Sequence, residues 1–413
     1  MQQNNLNIII INDFQDVNGG ASKIAVLEAI CLARRGYNVL FFCAVHGQND
    51  EMIEAGVKVV CLCQHDILND KNRLRAIIQG VWNRKAAKEF SLLLDSFDRN
   101  KTIIHIHSWT KALSSSIVSK AIGKKFPIVC TIHDYFTVCP NGGLYNYNKC
   151  KSCFLVPMSL RCIFENCDSR SYGKKIWRVL RQSVQTHFGK IPSEVKNFIT
   201  VSDFSERLLR PLYPHNANFY RVHNAINIPH NVAANPETAG RFIFVGRLSP
   251  EKGGHIFAQA ARQAGVNACF AGQGDCEEEW RTENPAAGFI GWRSRDELII
   301  ELRKSQALVF PSVCYETQGL VVLEAAAIGI PSIVSDGCAA RDLIEDGVTG
   351  LLFKAGDVAD LAEKLHILDN NPDLLKKLGN AAYDKYWRDP FTADRHIDAL
   401  IKCYRKILEE NEK

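Results

Sequence analysis

No stretch of this 413-residue sequence reaches the roughly 18 consecutive apolar residues needed to cross a membrane. The opening segment is polar from Met1 to Asn7, and the apolar run Ile8–Ile11 is too short for the core of a signal peptide. Charge of one sign is scarce as well. Fifty basic residues against 45 acidic ones leave a net +5, too mild to argue for nucleic acid by itself. No repeat of solenoid period is present. With 46% hydrophobic and 23% charged residues, the fibrous, disordered and disulfide-scaffold classes fall away. What remains is a globular chain of two or three domains, at about 150 residues each, with a cytoplasmic location expected.

Cysteine, by contrast, is plentiful at 15 residues. Without a leader these read as reduced thiols or metal ligands rather than disulfides.

The first half alternates buried strands with helix-length segments. Leu6–Asn12 is an almost continuous apolar run that ends in a loop with Gly19 and Gly20. A helical pattern, Ala21–Arg35, and a second apolar run, Val39–Val45, follow. Val57–Leu62, Ile103–His107, Ile128–His133 and Phe198–Val201 continue the series. Runs this apolar suit strands covered on both faces, hence a parallel sheet of doubly wound α/β type. A Pro- and Asn-rich linker, 226–240, leads into a second series: Phe242–Val245, Ala268–Ala271, Gly288–Gly291, Ala307–Phe310, Ser332–Val334 and Gly350–Phe353. The last pattern, Thr392–Glu410, is an amphipathic helix outside the strand series. Two such sheets leave a cleft between them, and ligands sit at the carboxyl ends of the strands.

Two motifs stand at such ends. After Phe242–Val245 comes Gly246-Arg247-Leu248-Ser249-Pro250-Glu251-Lys252-Gly253. An Arg fork and a Lys point charge on a Gly-rich turn suit a diphosphate, although a solvated basic turn reads the same. After Ala307–Phe310 comes Glu316-Thr317-Gln318-Gly319-Leu320, opening a helix that is apolar almost all round except for Glu324. The free N–H groups at Gly319 and Leu320 are a seat for phosphate. A buried Glu324 needs a partner, either a sugar diol or a core Arg or Lys.

Glu316 and Glu324, seven residues between them, resemble the paired-glutamate signature of glycosyltransferase family 4. Gly246–Gly253 resembles its Gly-Arg…Glu-Lys-Gly motif, and Gly19-Gly20-Ala21, Val201-Ser202, Asn224, Gly272-Gln273-Gly274, Gly291 and Asp346–Leu352 extend the likeness over nearly the whole chain. The resemblance implies an α/β fold of GT-B type. Its acceptor-binding Rossmann-like domain would be 1–225, completed by a terminal helix, 390–413, crossing back. Its nucleotide-sugar-binding Rossmann-like domain would be 241–389. It implies retaining transfer of a sugar from a UDP- or GDP-sugar to a hydroxyl, with no cofactor needed for the chemistry. Arg247 and Lys252 would bind the diphosphate and stabilise the leaving group, Glu324 the ribose and Glu316 the sugar. Gly19, Gly20, Gly319 and Leu320 would line the donor site. Thr317 and Gln318 stand where many members have Pro and Phe, which places a hydrogen-bonding Gln318 near the donor sugar.

On the acceptor side, His105 and His107 share one face of a strand, and the resemblance places His107 by the reaction centre. His133-Asp134 has a weaker claim. Between 139 and 170 lies a Cys-rich insertion. Cys150-x-x-Cys153, Cys162 and Cys167, with Cys139 as a fifth, form a candidate structural zinc set. The likeness around Asp134-Tyr135-Phe136 and Cys139–Gly143 is to bacterial polysaccharide-assembly members, which implies a glycan or lipid-linked acceptor. Beyond the insertion, Lys174–Phe188 carries an apolar stripe of Ile176, Val179, Leu180 and Val184 beside Lys174, Lys175, Arg178 and Arg181. It reads either as a helix docking on the cytoplasmic face of the inner membrane or as a domain helix with a solvated basic face.

A dinucleotide oxidoreductase would need G-x-G-x-x-G after the first strand and an acid after the second. Asp16–Ala21 and Cys43–His46 supply neither. A nucleotide-sugar epimerase on the same fold and a non-catalytic sugar-nucleotide binder remain as alternatives.

Overall fold

The computed structural model describes residues 6–411. Met1–Asn5 and the last two residues of the expected terminal helix lie outside it. Two parallel sheets organise the chain. The first contains β1 (Asn7–Ile11), β2 (Asn38–Cys43), β3 (Lys58–Cys61), β4 (Thr102–Ile106) and β5 (Ile128–Thr131). A two-stranded hairpin, β6 (Tyr145–Asn146) and β7 (Lys151–Ser152), interrupts the series before β8 (Asn197–Thr200) and β9 (Asn218–Arg221). The strand order is β3-β2-β1-β4-β5-β8-β9, all parallel. The second sheet contains β10 (Phe242–Val245), β11 (Ala268–Ala271), β12 (Gly288–Gly291), β13 (Ala307–Phe310), β14 (Ser332–Ser335) and β15 (Gly350–Phe353) in the order β12-β11-β10-β13-β14-β15.

The central strands are buried on both faces, as their apolar runs require. Ile9 and Ile11 join one core of the first lobe, Ile8 and Ile10 the other. The second lobe repeats this, with Phe242 and Phe244 on one side of β10 and Ile243 on the other. The helix Ala393–Asn411 returns to the first lobe, where Ile397, Leu400, Tyr404 and Ile407 pack with Ile8 and Ile10. Asp394 and Asp398 pair with Arg35 at the end of the helix Gly20–Arg34. The segment expected as a linker is partly anchored, since Ile226, Ile228 and Ala234 are buried in the second lobe's core.

No described helix is long and apolar enough to cross a membrane. The helix Tyr172–His187 sits the other way round from its expected stripe. Lys175 and Arg181 face inward, while Ile176 and Leu180 are exposed. Arg181 is accepted in the interior because its guanidinium lies over the Phe136 ring and donates to the carbonyls of Thr110 and Pro140.

Candidate active site

The two motif loops of the second lobe are clamped together. Pro250–Lys252 forms a single 3-10 turn, and the Glu251 carbonyl accepts from the amides of Val313 and Cys314 and from Ser312 Oγ. Gly253 takes φ 70°, and a Cβ there would stand 2.0 Å from the Pro311 carbonyl oxygen. Only glycine allows this approach. The clamp brings Lys252 Nζ to 2.5 Å from Glu316 Oε1, which also accepts from Ser312 Oγ at 3.0 Å. Burial pushes the Glu316 carboxyl up, but the Lys252 ammonium more than offsets it and holds the group below its ordinary range. Glu316 itself stands at φ 49°, a strained backbone for a side chain of this size.

The helix Leu320–Ala327 starts just beyond. Gly319, at φ 88°, is its N-cap, and no side chain caps the end. The amides of Gly319 and Leu320 are therefore left for a ligand. Glu324, one turn on, is buried, and its Oε1 lies 3.2 Å from Arg295 Nη2. Burial raises its carboxyl above the ordinary range, against the charges of Arg295 and of Lys23 from the first lobe. Arg247 is exposed at the mouth of a cavity of about 370 Å³, lined also by Gly246, Gln273, Trp292 and Arg293. Gly272 shapes its floor, since a Cβ there would lie 1.8 Å from the Gly246 carbonyl oxygen.

The first lobe closes over these loops. Tyr135 donates to the Glu316 carbonyl at 2.6 Å, Ser205 to that of Thr317 at 3.0 Å, and Thr317 to that of His133 at 3.4 Å. Gly19, at φ 100°, and Gly20 have open space where a Cβ would point. Gln318 is buried. Its Oε1 accepts from the Asn224 amide at 3.2 Å, and its Nε2 has no partner among the described residues. His107 is 3% exposed, with Nδ1 2.9 Å from His133 Nε2. His133 is half-buried; its ring hydrogen-bonds to His107, and its backbone carbonyl accepts from Thr317.

The structure thus brings Lys252 to Glu316, just ahead of the helix that Gly319 and Leu320 open and that carries Glu324, while Arg247 lines a cavity with Trp292 and Arg293. Residue patterning alone missed Arg295, Trp292 and Arg293. The last two follow Gly291 directly, at the carboxyl end of β12, where the strand-end rule would have found them.

The zinc expectation is corrected. Among the described residues, the groups whose ligand atoms converge are His46, Cys61, Cys63 and Glu28, His105, His107. Cys139, Cys150, Cys153, Cys162 and Cys167 form no such group. The fully buried Lys175 places Nζ 3.2 Å from Cys167 Sγ and 3.7 Å from Cys162 Sγ, so an ammonium supplies the positive charge expected of a metal. Cys150 is exposed and donates to the Tyr147 carbonyl. The insertion is held instead by the Arg178–Asp168 ion pair at 2.8 Å and by Asn141 donating to the Cys167 carbonyl at 2.8 Å.

Comparison with known proteins adds sequence and fold relationships. The model described as Glycosyltransferase Family 4 matches residues 18–229, and that described as Glycosyl transferases group 1 matches residues 227–385. The O-antigen chain mannosyltransferase C of Escherichia coli is 30% identical over 182 residues, 42% of this chain and 49% of that protein. The phosphatidyl-myo-inositol mannosyltransferase of Mycobacterium leprae is 31% identical over 199 residues, 43% of this chain and 51% of that protein. The chain thus spans about half the length of these curated relatives. HepE of Anabaena, crystallised with UDP, superposes with a TM-score of 0.66 at 15% identity, covering 97% of this chain and 100% of that one. Its two-lobed GT-B architecture is the fold seen here.

Proposed function

The chain belongs to glycosyltransferase family 4, and from that premise we propose that it moves a hexose from a UDP- or GDP-sugar to a hydroxyl of a glycan or lipid-linked acceptor, with retention at the anomeric carbon, in assembly of a bacterial surface polysaccharide such as lipopolysaccharide or capsule. The observation that carries the reading is the meeting of Lys252 and Glu316 beside the uncapped helix end at Gly319 and Leu320. Chemistry of this kind requires charge stabilisation on the departing diphosphate. Lys252 and the two amides are cationic or donor groups close to one another in the second lobe; in this reading Arg247 joins them on the diphosphate, Gly19 and Gly20 line the donor site from the first lobe, and the chemistry calls for no metal. Glu324 takes the ribose hydroxyls, and Arg295 beside it favours the ionised form against the pull of burial. Glu316 and the free Nε2 of Gln318 face the sugar, and the flat, exposed Trp292 ring offers a base a stacking surface. His107 acts on the acceptor side. The O-antigen mannosyltransferase and the UDP complex of HepE support this choice of acceptor and donor class.

A peripheral position on the cytoplasmic face of the inner membrane belongs to the same reading. Leu160, Phe164, Ile176 and Leu180 stand exposed near Arg170 and Lys174, and Trp177 ties them to the helix Arg73–Val81, with exposed Ile77 and Ile78, through the Ile77 carbonyl. Apolar side chains ringed by cations suit an anionic lipid surface.

The test is to incubate the protein with UDP- and GDP-hexoses and glycan or polyprenyl-linked acceptors, and to read the product's anomeric configuration by NMR. Retained configuration supports the proposal. An inverted product, or a thermal midpoint moved by neither UDP nor GDP, refutes it.

A further inference from the structure

Beneath the cleft, one buried carboxylate touches three imidazoles from two parts of the chain. Glu28, on the helix Gly20–Arg34, is 1% exposed. Its Oε1 lies 2.9 Å from His396 Nε2 on the terminal helix, and its Oε2 lies 3.0 Å from His105 Nδ1 and 3.2 Å from His107 Nε2. The other His396 nitrogen, Nδ1, is 2.6 Å from the His223 carbonyl. A carboxylate and a carbonyl only accept, so both nitrogens of His396 carry protons and the ring is a cation paired with Glu28. His105 is held between Tyr404, 2.7 Å from Nδ1, and Thr131, 2.6 Å from Nε2.

The partners also set the tautomer of His107. Its Nε2 lies 3.2 Å from Glu28 Oε2 and has no aligned hydrogen-bond partner among the described residues; facing a carboxylate charge, that nitrogen carries the proton rather than a lone pair. Its Nδ1 then holds a lone pair, 2.9 Å from His133 Nε2, and accepts from it. His133 is left with an unprotonated Nδ1. A chain of tautomers runs from the terminal helix through Glu28 and His107 to the imidazole of half-buried His133, whose backbone carbonyl accepts from Thr317.

We propose that Glu28 is a positioning residue for sugar transfer: it fixes the His107 tautomer, so that His133 presents Nδ1 as an acceptor for the hydroxyl that receives the sugar, and the terminal helix holds Glu28 in place through His396. The proposal rests on the transferase reading for its purpose, but its geometry stands apart from that reading.

Two measurements test it. In the wild-type protein, ¹⁵N NMR of the imidazoles, assigned with His107→Asn and His133→Asn, must show His107 protonated on Nε2 and His133 with a bare Nδ1. The opposite tautomer of His107 overturns the proposal whether or not any sugar is transferred. In Glu28→Gln, the His107 and His133 signals shift and kcat falls roughly 10- to 100-fold, the usual loss when an outer partner of a working imidazole is removed. Binding of UDP and GDP stays unchanged. Wild-type kcat and unmoved imidazole signals in that variant overturn the proposal. If the wild type transfers no sugar while the tautomers are as stated, the transferase reading fails and the relay survives. The wild-type spectrum decides the matter even where Glu28→Gln does not fold.

Discussion

Lys252 and Glu316, 64 residues apart in the chain, meet at 2.5 Å because two loops leave neighbouring strands, β10 and β13, and Gly253 lets them touch. In the free protein the ammonium neutralises the carboxylate. On the proposed reading, a bound diphosphate would compete with Glu316 for the same ammonium.

Lys252→Ala therefore has two expected effects. Turnover falls by roughly 10²-fold or more, as it does when a contact to developing charge is lost. Stability falls by roughly 1–2 kcal/mol, because Glu316 keeps its charge without a partner. That is less than for a fully buried pair, since 26% of the Lys252 side chain is open to solvent. Steady-state kinetics and a denaturant titration read the two separately. Near-normal turnover would remove Lys252 from the chemistry.

Glu324→Gln tests the donor side independently of the leaving group. Hydrogen bonds from ribose hydroxyls to a carboxylate are charge-assisted, about 1.5–3 kcal/mol each. Calorimetry with UDP or GDP is expected to show affinity lower by roughly 10-fold or more. Arg295, 3.2 Å from Glu324, would lose its counter-charge in the same variant. Arg295→Met should accordingly lower affinity too, by leaving Glu324 more readily protonated. Unchanged affinity in both variants would mean that Glu324 is only a structural ion pair.

The proposed membrane-binding surface is tested with Ile176→Glu and Leu180→Glu. Both side chains are exposed, at 42% and 54%, so the fold should tolerate the changes to within about 0.5 kcal/mol. Flotation with vesicles containing anionic phospholipid is expected to lose the protein in the double variant and in Lys174→Glu. Lys175 is unsuitable for charge reversal because it is buried against Cys162 and Cys167. Equal flotation of wild type and variants would dismiss the surface.

That helix shows where sequence reading stops. The strands were legible because a parallel sheet buries both faces, so Ile8–Ile11 or Phe242–Val245 could only be interior. The short edge strand β9, Asn218–Arg221, has a mixed pattern and left no such mark. In Tyr172–His187 the usual rule, charges outward and apolar stripe inward, was inverted. Lys175 finds the thiols of Cys167 and Cys162, 8 and 13 residues away, while the partners of Arg181, Phe136 and two carbonyls, lie tens of residues away in sequence. The structure gives the zinc expectation no support, since cysteine spacing says which thiols can converge, not that a lysine will reach them first. At the site, Lys252 and Glu316 were legible because they lie in loops that follow strand ends, and Glu324 because it is the one charge of an otherwise apolar helix. Glu28 was not, because its meaning comes from His396, 368 residues later.

The buried histidines make stability depend on pH in a direction that can be worked out. Burial, with the neighbouring His107, pulls His105 down to about 4, and burial takes His133 well below the ordinary imidazole value. Both are thus neutral in the folded protein and would titrate near 6.5 when unfolded. Their contribution is complete above pH 6.5 and is lost as pH falls toward 4, because the unfolded chain binds protons first. Glu28, held well below the usual carboxylate range by His107 and His105 despite its burial, adds a further loss only below about pH 4.5. Raised groups act the other way: burial lifts the carboxyls of Asp13 and Glu324 as well. Asp134, reachable from solvent yet ringed by protein, is pushed up to about 6 by burial and favours the fold as pH falls from 6 toward 4. His396, raised by Glu28 against its burial, contributes fully below 6.5 and less at higher pH. Burial pulls down His223 and His255 as well, and His105 and His133 are pulled down furthest, so the thermal midpoint is expected to fall between pH 7 and pH 5. The fall should be shallower in His105→Gln, which removes one of the two most depressed imidazoles. Calorimetric scans across that range check both statements, and a midpoint that rises toward pH 5 would show that His105 and His133 are protonated in the folded protein.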